Sequence, residues 1–232
     1  MTPLVLLPGM MCDARLFAPQ FAAFEGLRDV RMIAIDGADD VADLARHVLS
    51  RAPQRFALAG LSMGGLVAME VIRQAPARVE RIAFLDTNPL AETAVVAARR
   101  EPQIAKAQAG QLLEVMRDEM KPRYLADGPA RQDILKICMD MALTLGPEVF
   151  SRQSRALQTR PDQSDTLRGI RIPTLALCGR EDTLCPIHRH QLMCDLVPGA
   201  TLSIIDGAGH LPTLEQPART NAALARWLEA AQ

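Results

Sequence analysis

Six short apolar runs, set between stretches of helical periodicity, constrain this 232-residue chain more than any other feature. They fall at residues 4–7, 30–35, 56–61, 79–85, 172–178 and 201–205. The runs are nearly continuous in apolar residues, the pattern of strands covered on both faces. Between them, residues 13–24, 41–51, 63–74, 186–196 and 217–231 read as helices. Alternating β and α segments predict an α/β fold. Its mostly parallel sheet of about six strands carries helices on both faces, joined by right-handed crossovers.

One stretch breaks the rhythm. Residues 91–165 hold no strand candidate, only helical pattern, with Leu112, Val115, Met116 and Met120 in one series and Ile134, Ile137, Cys138 and Met141 in another. Gly128-Pro129 and Gly146-Pro147 punctuate it, and each proline suits the first turn of a new helix. The expectation is an all-helical cap at 91–165, inserted into a core made of residues 1–90 and 166–232. Acidic and basic residues balance across the insertion, Arg123 among the latter, which gives no support for a strongly acidic macromolecular partner.

The formal net charge of −1 shows no electrostatic footprint for nucleic acid. No apolar run approaches the ~18 residues of a membrane span. Residues 1–3 lead straight into the first apolar run without a basic region, so no signal peptide is expected. Five scattered cysteines, odd in number and without C-x-x-C spacing, read as free thiols in a reducing compartment, the cytoplasm.

Chemistry enters at Gly60-Leu61-Ser62-Met63-Gly64, a G-x-S-x-G element between the third apolar run and an amphipathic stretch. A strand that stops and reverses into a helix leaves its turn residue exposed at the strand's C-terminal edge. Ser62 is therefore the candidate nucleophile. A serine hydroxyl needs a base within hydrogen-bond reach, and the chain offers four histidines. His47 lies inside a helical pattern. His188 and His190 flank Arg189 in another, and residues two apart do not share a helix face, which disfavours a metal pair. His210 instead follows the last strand in the loop Asp206-Gly207-Ala208-Gly209-His210, where parallel sheets place their chemistry. The base in turn needs an acceptor on its far nitrogen. Asp182, in Gly179-Arg180-Glu181-Asp182 after the fifth strand, is the choice. Glu181 and Asp86 are the competitors. An oxyanion needs donors, and the backbone N–H groups of Met63 and Met10 are the expected pair, Met10 coming from the loop after the first strand. The side chains of Met10 and Met63, with Met116, Met120, Met139 and Met141, read either as an adaptable acyl pocket or as core.

These segments together resemble the α/β-hydrolase-fold serine hydrolases that carry a helical cap. The resemblance rests on residues 6–11, 60–65, 179–186 and 207–217. It implies a nucleophile at Ser62, an acid at Asp182 and a base at His210, in the chain order of that family, with donors at Met10 and Met63. It implies no metal and no organic cofactor. Pro8-Gly9 stands where members often have His-Gly, and the first strand resembles the family's third, so the sheet is expected to be a short version. Relatives suggested by the pattern include small carboxylesterases, enol-lactonases, carbon–carbon-bond hydrolases and esterases that demethylate pimeloyl carrier-protein esters. The expected activity is cleavage of a small or medium acyl ester through an acyl-enzyme. Thioesterase, lactonase or C–C bond hydrolase chemistry with the same triad is the alternative. A lyase, a perhydrolase or a catalytically silent ligand-binding relative is the rival from outside hydrolysis. A carrier-protein-bound substrate fits the pattern without support from the residues.

Overall fold

The computed structural model describes residues 1–121 and 124–230. The last residue of the helix expected over 217–231, and Arg123 of the insertion's charge balance, lie outside them.

Six strands form one sheet in the order β2-β1-β3-β4-β5-β6, every adjacent pair parallel. They are β1 (Leu4–Leu7), β2 (Val30–Met32), β3 (Phe56–Leu61), β4 (Val79–Leu85), β5 (Thr174–Gly179) and β6 (Thr201–Ile205). Strand residues point alternately to the two faces. Val5, Leu7, Leu58, Ile82 and Phe84 pack with α2 (Val41–Arg51) and α3 (Met63–Gln74). Leu4, Leu6, Ala57, Ala59, Ala83 and Leu175 pack on the other face with Phe24 of α1 (Ala18–Phe24) and Leu224 and Trp227 of α10 (Pro217–Glu229). Burial on both sides explains why β1, β3 and β5 read as nearly unbroken apolar runs, whereas the edge strands β2 and β6 are partly exposed.

Two strands differ in length from the expectation over 30–35 and 172–178. Strand β2 ends at Met32, although the Ile33 N–H still donates to the Leu6 carbonyl at 3.1 Å. Ile33 and Ile35 stay buried, so the apolar signal there reports burial beyond the paired ladder. Strand β5 starts at Thr174 because Pro173 has no N–H to give to a ladder. The helix expected over 13–24 is a 3₁₀ turn, Ala14–Phe17, followed by α1.

Between β4 and β5 the chain is helical. It runs through α4 (Ala94–Lys106), a wider π-type stretch broken by α5 (Leu112–Glu114), the 28-residue α6 (Arg131–Gln158) and α7 (Ser164–Arg168). Gly146 has φ +79° inside α6, so Gly146-Pro147 breaks that span into two helices. Helix α4 packs on α6, whereas α7 packs on α3 and α8 (Ile187–Leu196). A short helix, α9 (Pro212–Glu215), precedes α10.

The strand order reverses at β1. The chain leaves β1 toward β2 on one side and returns to β3 on the other, so the loops after β1 and β3 part and open a crevice. Leu7 is in register with Gly60, Leu61 with Leu85 and Gly179 with Ile205, so the strand ends preceding every predicted site residue share one edge.

Candidate active site

At the end of β3 the backbone turns through Ser62 at φ +54°, ψ −115°, a conformation a side-chain-bearing residue rarely adopts. The turn packs against β1 so closely that a Cβ on Gly64 would lie 2.2 Å from the Leu7 carbonyl oxygen. The Ser62 N–H donates to Leu85 O at 2.8 Å, which ties the turn to β4. Helix α3 starts at Met63, directly after the serine.

His210 Nε2 lies 2.9 Å from Ser62 Oγ, and His210 Nδ1 lies 2.8 Å from Asp182 Oδ2. His210 and Asp182 are each 4 % exposed, so the pair sits out of bulk water. Burial alone would raise the Asp182 carboxyl. His210, together with the N–H groups of Cys185 and Leu184 at 3.0 and 2.8 Å, outweighs it and holds the pKa below the usual carboxylate value. The structure thus brings together Ser62, Asp182 and His210.

The competing carboxylates have other places. Glu181 accepts the Ala208 N–H at 3.0 Å and braces the loop carrying His210 from outside. Asp86 is fully buried at φ +44° and accepts the Gly179 N–H at 2.8 Å through Oδ1. Its Oδ2 has no donor among the described residues. Burial first, then the neighbouring Asp182 carboxyl, push the Asp86 pKa well above the ordinary carboxylate range. A protonated Asp86 gives Oδ2 a hydrogen to donate and removes one of two adjacent like charges.

Met10 and Met63 both border a cavity of about 820 Å³ that also contains Ser62 and His210. Among the described residues neither backbone N–H has a hydrogen-bond acceptor. Of the four methionines in the helical segment, Met120 reaches this cavity, whereas Met116 and Met141 are fully buried in the core and Met139 packs against it. Of the four, Met120 alone is placed at the cavity where an acyl pocket was expected.

Several supporting residues escaped the sequence. His190 is fully buried, and its Nε2 accepts the Thr87 N–H at 3.1 Å. Burial pushes its pKa down to about 4, which keeps that nitrogen an acceptor. Thr87 in turn donates its hydroxyl to Ser62 O at 2.7 Å. Glu215 accepts the N–H groups of Ala126, Gly209 and Leu211 at 2.8–3.0 Å. It pins the turn around His210 to the chain just after the π-type stretch, where the His210 N–H also donates to Tyr124 O at 2.6 Å. Its position in the first turn of α9 was the one available signal. Gln153 of α6 accepts the Met11 N–H at 2.8 Å and donates to Ile35 O at 2.9 Å, bracing the loop that offers Met10. A Cβ on Gly179 would lie 1.9 Å from Gly209 O, so the loops bearing Asp182 and His210 meet at the van der Waals limit.

Among the described residues one trio of potential metal donors, Asp182, Cys185 and His210, has its ligand atoms within 4.8 Å of one another. Two of them share a hydrogen bond already, and burial pushes the Cys185 thiol well above its usual range, away from the thiolate a metal requires. Among the described residues no helix is long and apolar enough to cross a membrane.

Residues 4–223 match the model of the alpha/beta hydrolase family. The chain belongs to that family. It is 28% identical to a pimeloyl-[acyl-carrier protein] methyl ester esterase of Klebsiella pneumoniae, over 93% of this chain and 89% of the relative. Among solved structures, a thermophilic esterase from Thermogutta terrifontis superposes with a TM-score of 0.90 at 24% identity, covering 98% of this chain and 89% of that one. The enol-lactonase from Burkholderia xenovorans LB400 does so with a TM-score of 0.86 at 20% identity, covering 99% and 92%.

Proposed function

We propose that this protein is a carboxylic ester hydrolase that cleaves a small or medium acyl ester through a Ser62 acyl-enzyme. The carrying observation is the unbroken relay Ser62 Oγ, His210 and Asp182, at 2.9 and 2.8 Å, opening onto a cavity of about 820 Å³. Ser62 Oγ attacks the ester carbonyl as its proton passes to His210 Nε2. The Met10 and Met63 amides donate to the oxyanion. Collapse of the tetrahedral intermediate expels the alcohol, which takes the proton from His210. Water then gives a proton to His210 and attacks the acyl carbon, and the second collapse returns the proton to Ser62 Oγ and releases the acid. Asp182 holds the imidazole tautomer throughout and stabilises the imidazolium. The helical segment between β4 and β5 serves as a cap: its Arg99, Met120 and Tyr124 line the cavity together with Met63.

The esterase names of the curated and structural relatives support the ester reading. Thioesters, lactones and activated C–C bonds present the same electrophilic carbonyl and form the second group of substrates. The enol-lactonase likeness keeps the lactone on that list by fold alone. The name of the Klebsiella relative supports testing a carrier-protein ester as well.

The test is intact mass after exposure to a fluorophosphonate, which reacts with activated serines. One adduct on the wild type and none on Ser62→Ala is expected. Absence of an adduct on both, with esters of graded acyl length also left intact, would remove the hydrolase reading.

A further inference from the structure

The helical segment supplies more positive charge to the cavity than its ion pairs use. Glu92, whose side chain is 2 % exposed, is shared by two guanidiniums. Arg100 of α4 donates to it through Nε and, at 2.7 Å, through Nη2. Arg160, just beyond α6, donates to it through Nη1 at 2.7 Å. Both arginine side chains are only 12–13 % exposed, and both line the cavity that holds Ser62 and His210. Two cations thus face one anion away from bulk water, where an unmatched charge is expensive. Their remaining donors, Nη1 of Arg100 and Nη2 of Arg160, have no acceptor among the described residues and are not sealed from the cavity. Arg99 and Arg189 also border it, and neither has an ion-pair partner among the described residues. The other carboxylate at the rim, Glu119, is already matched by Lys106 at 2.8 Å.

We infer that Arg100 and Arg160 form an anion subsite inside the catalytic cavity, and that the substrate is an ester carrying a free carboxylate. Each free guanidinium nitrogen, Nη1 of Arg100 and Nη2 of Arg160, can donate a charge-assisted hydrogen bond to a carboxylate oxygen, and a second carboxylate beside Glu92 balances the second cation. Arg160 is braced as well by Leu90 O at 3.1 Å and Leu157 O at 3.4 Å, yet its Nη2, like Nη1 of Arg100, keeps no acceptor among the described residues. The inference builds on the hydrolase reading for its substrate but not for its binding step.

The experiment has two arms. In the first, straight-chain dicarboxylates from succinate to suberate are titrated calorimetrically into the wild type, Arg100→Gln and Glu92→Gln. In the second, kcat/KM is compared for monomethyl esters of the same acids and for their neutral dimethyl esters. Loss of one charge-assisted pair is expected to weaken dicarboxylate binding ~10- to 100-fold in Arg100→Gln. Glu92→Gln removes the resident competitor and should tighten it, a direction that simple loosening of the cap would not produce. The wild type should favour monomethyl over dimethyl esters, and salt should erode that preference. A wild type that binds none of the dicarboxylates while still cleaving neutral esters overturns the subsite and leaves the hydrolase reading standing. Dicarboxylate binding with the expected variant pattern, but without turnover of any ester, supports the subsite and counts against the hydrolase reading.

Discussion

Two buried carboxyls stand at neighbouring strand ends, and Asp86→Asn distinguishes their roles. Asn is the near-isostere of a protonated aspartic acid. It keeps the acceptor for the Gly179 N–H, held at 2.8 Å in the wild type, and offers an N–H₂ in place of the Oδ2 proton toward Asp182. Asn also tolerates the φ of +44° at this position better than most residues. Turnover should therefore stay within about threefold, a change of about 0.6 kcal/mol. Asp182→Asn should lower it up to ~10⁴-fold, because the amide cannot stabilise the imidazolium. Stability gives a second readout with a defined sign. The folded state holds the Asp86 proton to a pH well above 3.8, the ordinary aspartate value that applies to the unfolded chain. Between those two pKa values the native state binds more protons than the unfolded one. Wild-type stability contributed by this group is therefore fully present below pH 3.8 and falls as pH rises, by up to ~1.4 kcal/mol per pH unit. Asp86→Asn lacks that slope, so its stability relative to wild type should climb with pH across the window. Asp86→Ala is the control. It orphans the Gly179 N–H, about 1–3 kcal/mol, and leaves alanine in a left-handed conformation, about 1–3 kcal/mol more. Urea denaturation at a series of pH values, with ester hydrolysis in parallel, measures both quantities. A collapse of turnover in Asp86→Asn with Asp182→Asn unharmed would transfer the acid role to Asp86 and refute the assignment.

Two further outcomes follow from the packing behind the serine. His190 has its pKa pushed down to about 4 by burial, so the unfolded chain takes up its proton first on acidification. The stability from this group is present above pH 6.5 and is lost as pH falls toward 4, by roughly 3 kcal/mol in all. His190→Gln should flatten that part of an acid-denaturation curve, and an unchanged curve would contradict it. Gly64→Ala places a methyl group 2.2 Å from the Leu7 carbonyl, backbone against backbone, with no flexible side chain to yield. It should destabilise by more than ~4 kcal/mol, the range reserved for severe core disruption. A soluble variant with wild-type melting behaviour would show that β1 and the start of α3 are further apart than described.

The inner strands were legible because burial on both faces imprints composition directly: residues 56–61 carry no polar side chain, 82–85 none, and β3 and β4 occupy spans 56–61 and 79–85. Ser62, Asp182 and His210 were legible for a related reason. Each follows a strand end in a short loop containing glycine, and a parallel sheet delivers all such loops to one edge. Boundaries were less legible where backbone pairing and burial part company. Ile33 and Ile35 remain in the core after the β2 ladder has ended, so hydrophobicity overstated the strand.

What the chain does not reveal locally is the support behind those three residues. Gln153 touches Met11, His190 touches Thr87 and Arg160 touches Glu92 across separations of 142, 103 and 68 residues. No periodicity or motif connects such pairs, because each contact exists only after the helices have packed on the sheet. His190 shows how far apart the two kinds of information lie. By spacing it is one of two histidines that do not share a helix face. Buried in the folded chain it becomes a neutral acceptor, and its bond from Thr87 N–H continues through the threonine hydroxyl to the carbonyl of Ser62. The strained turn at Ser62 is therefore held from three directions: by β4 through its own N–H, by β1 through the contact at Gly64, and by α8 through His190. A conformation that costs on the order of 1–3 kcal/mol in isolation persists because the surrounding contacts over-determine it. The candidate triad is thus readable from three short segments, while the contacts that hold it in place are long-range ones that only the folded arrangement contains.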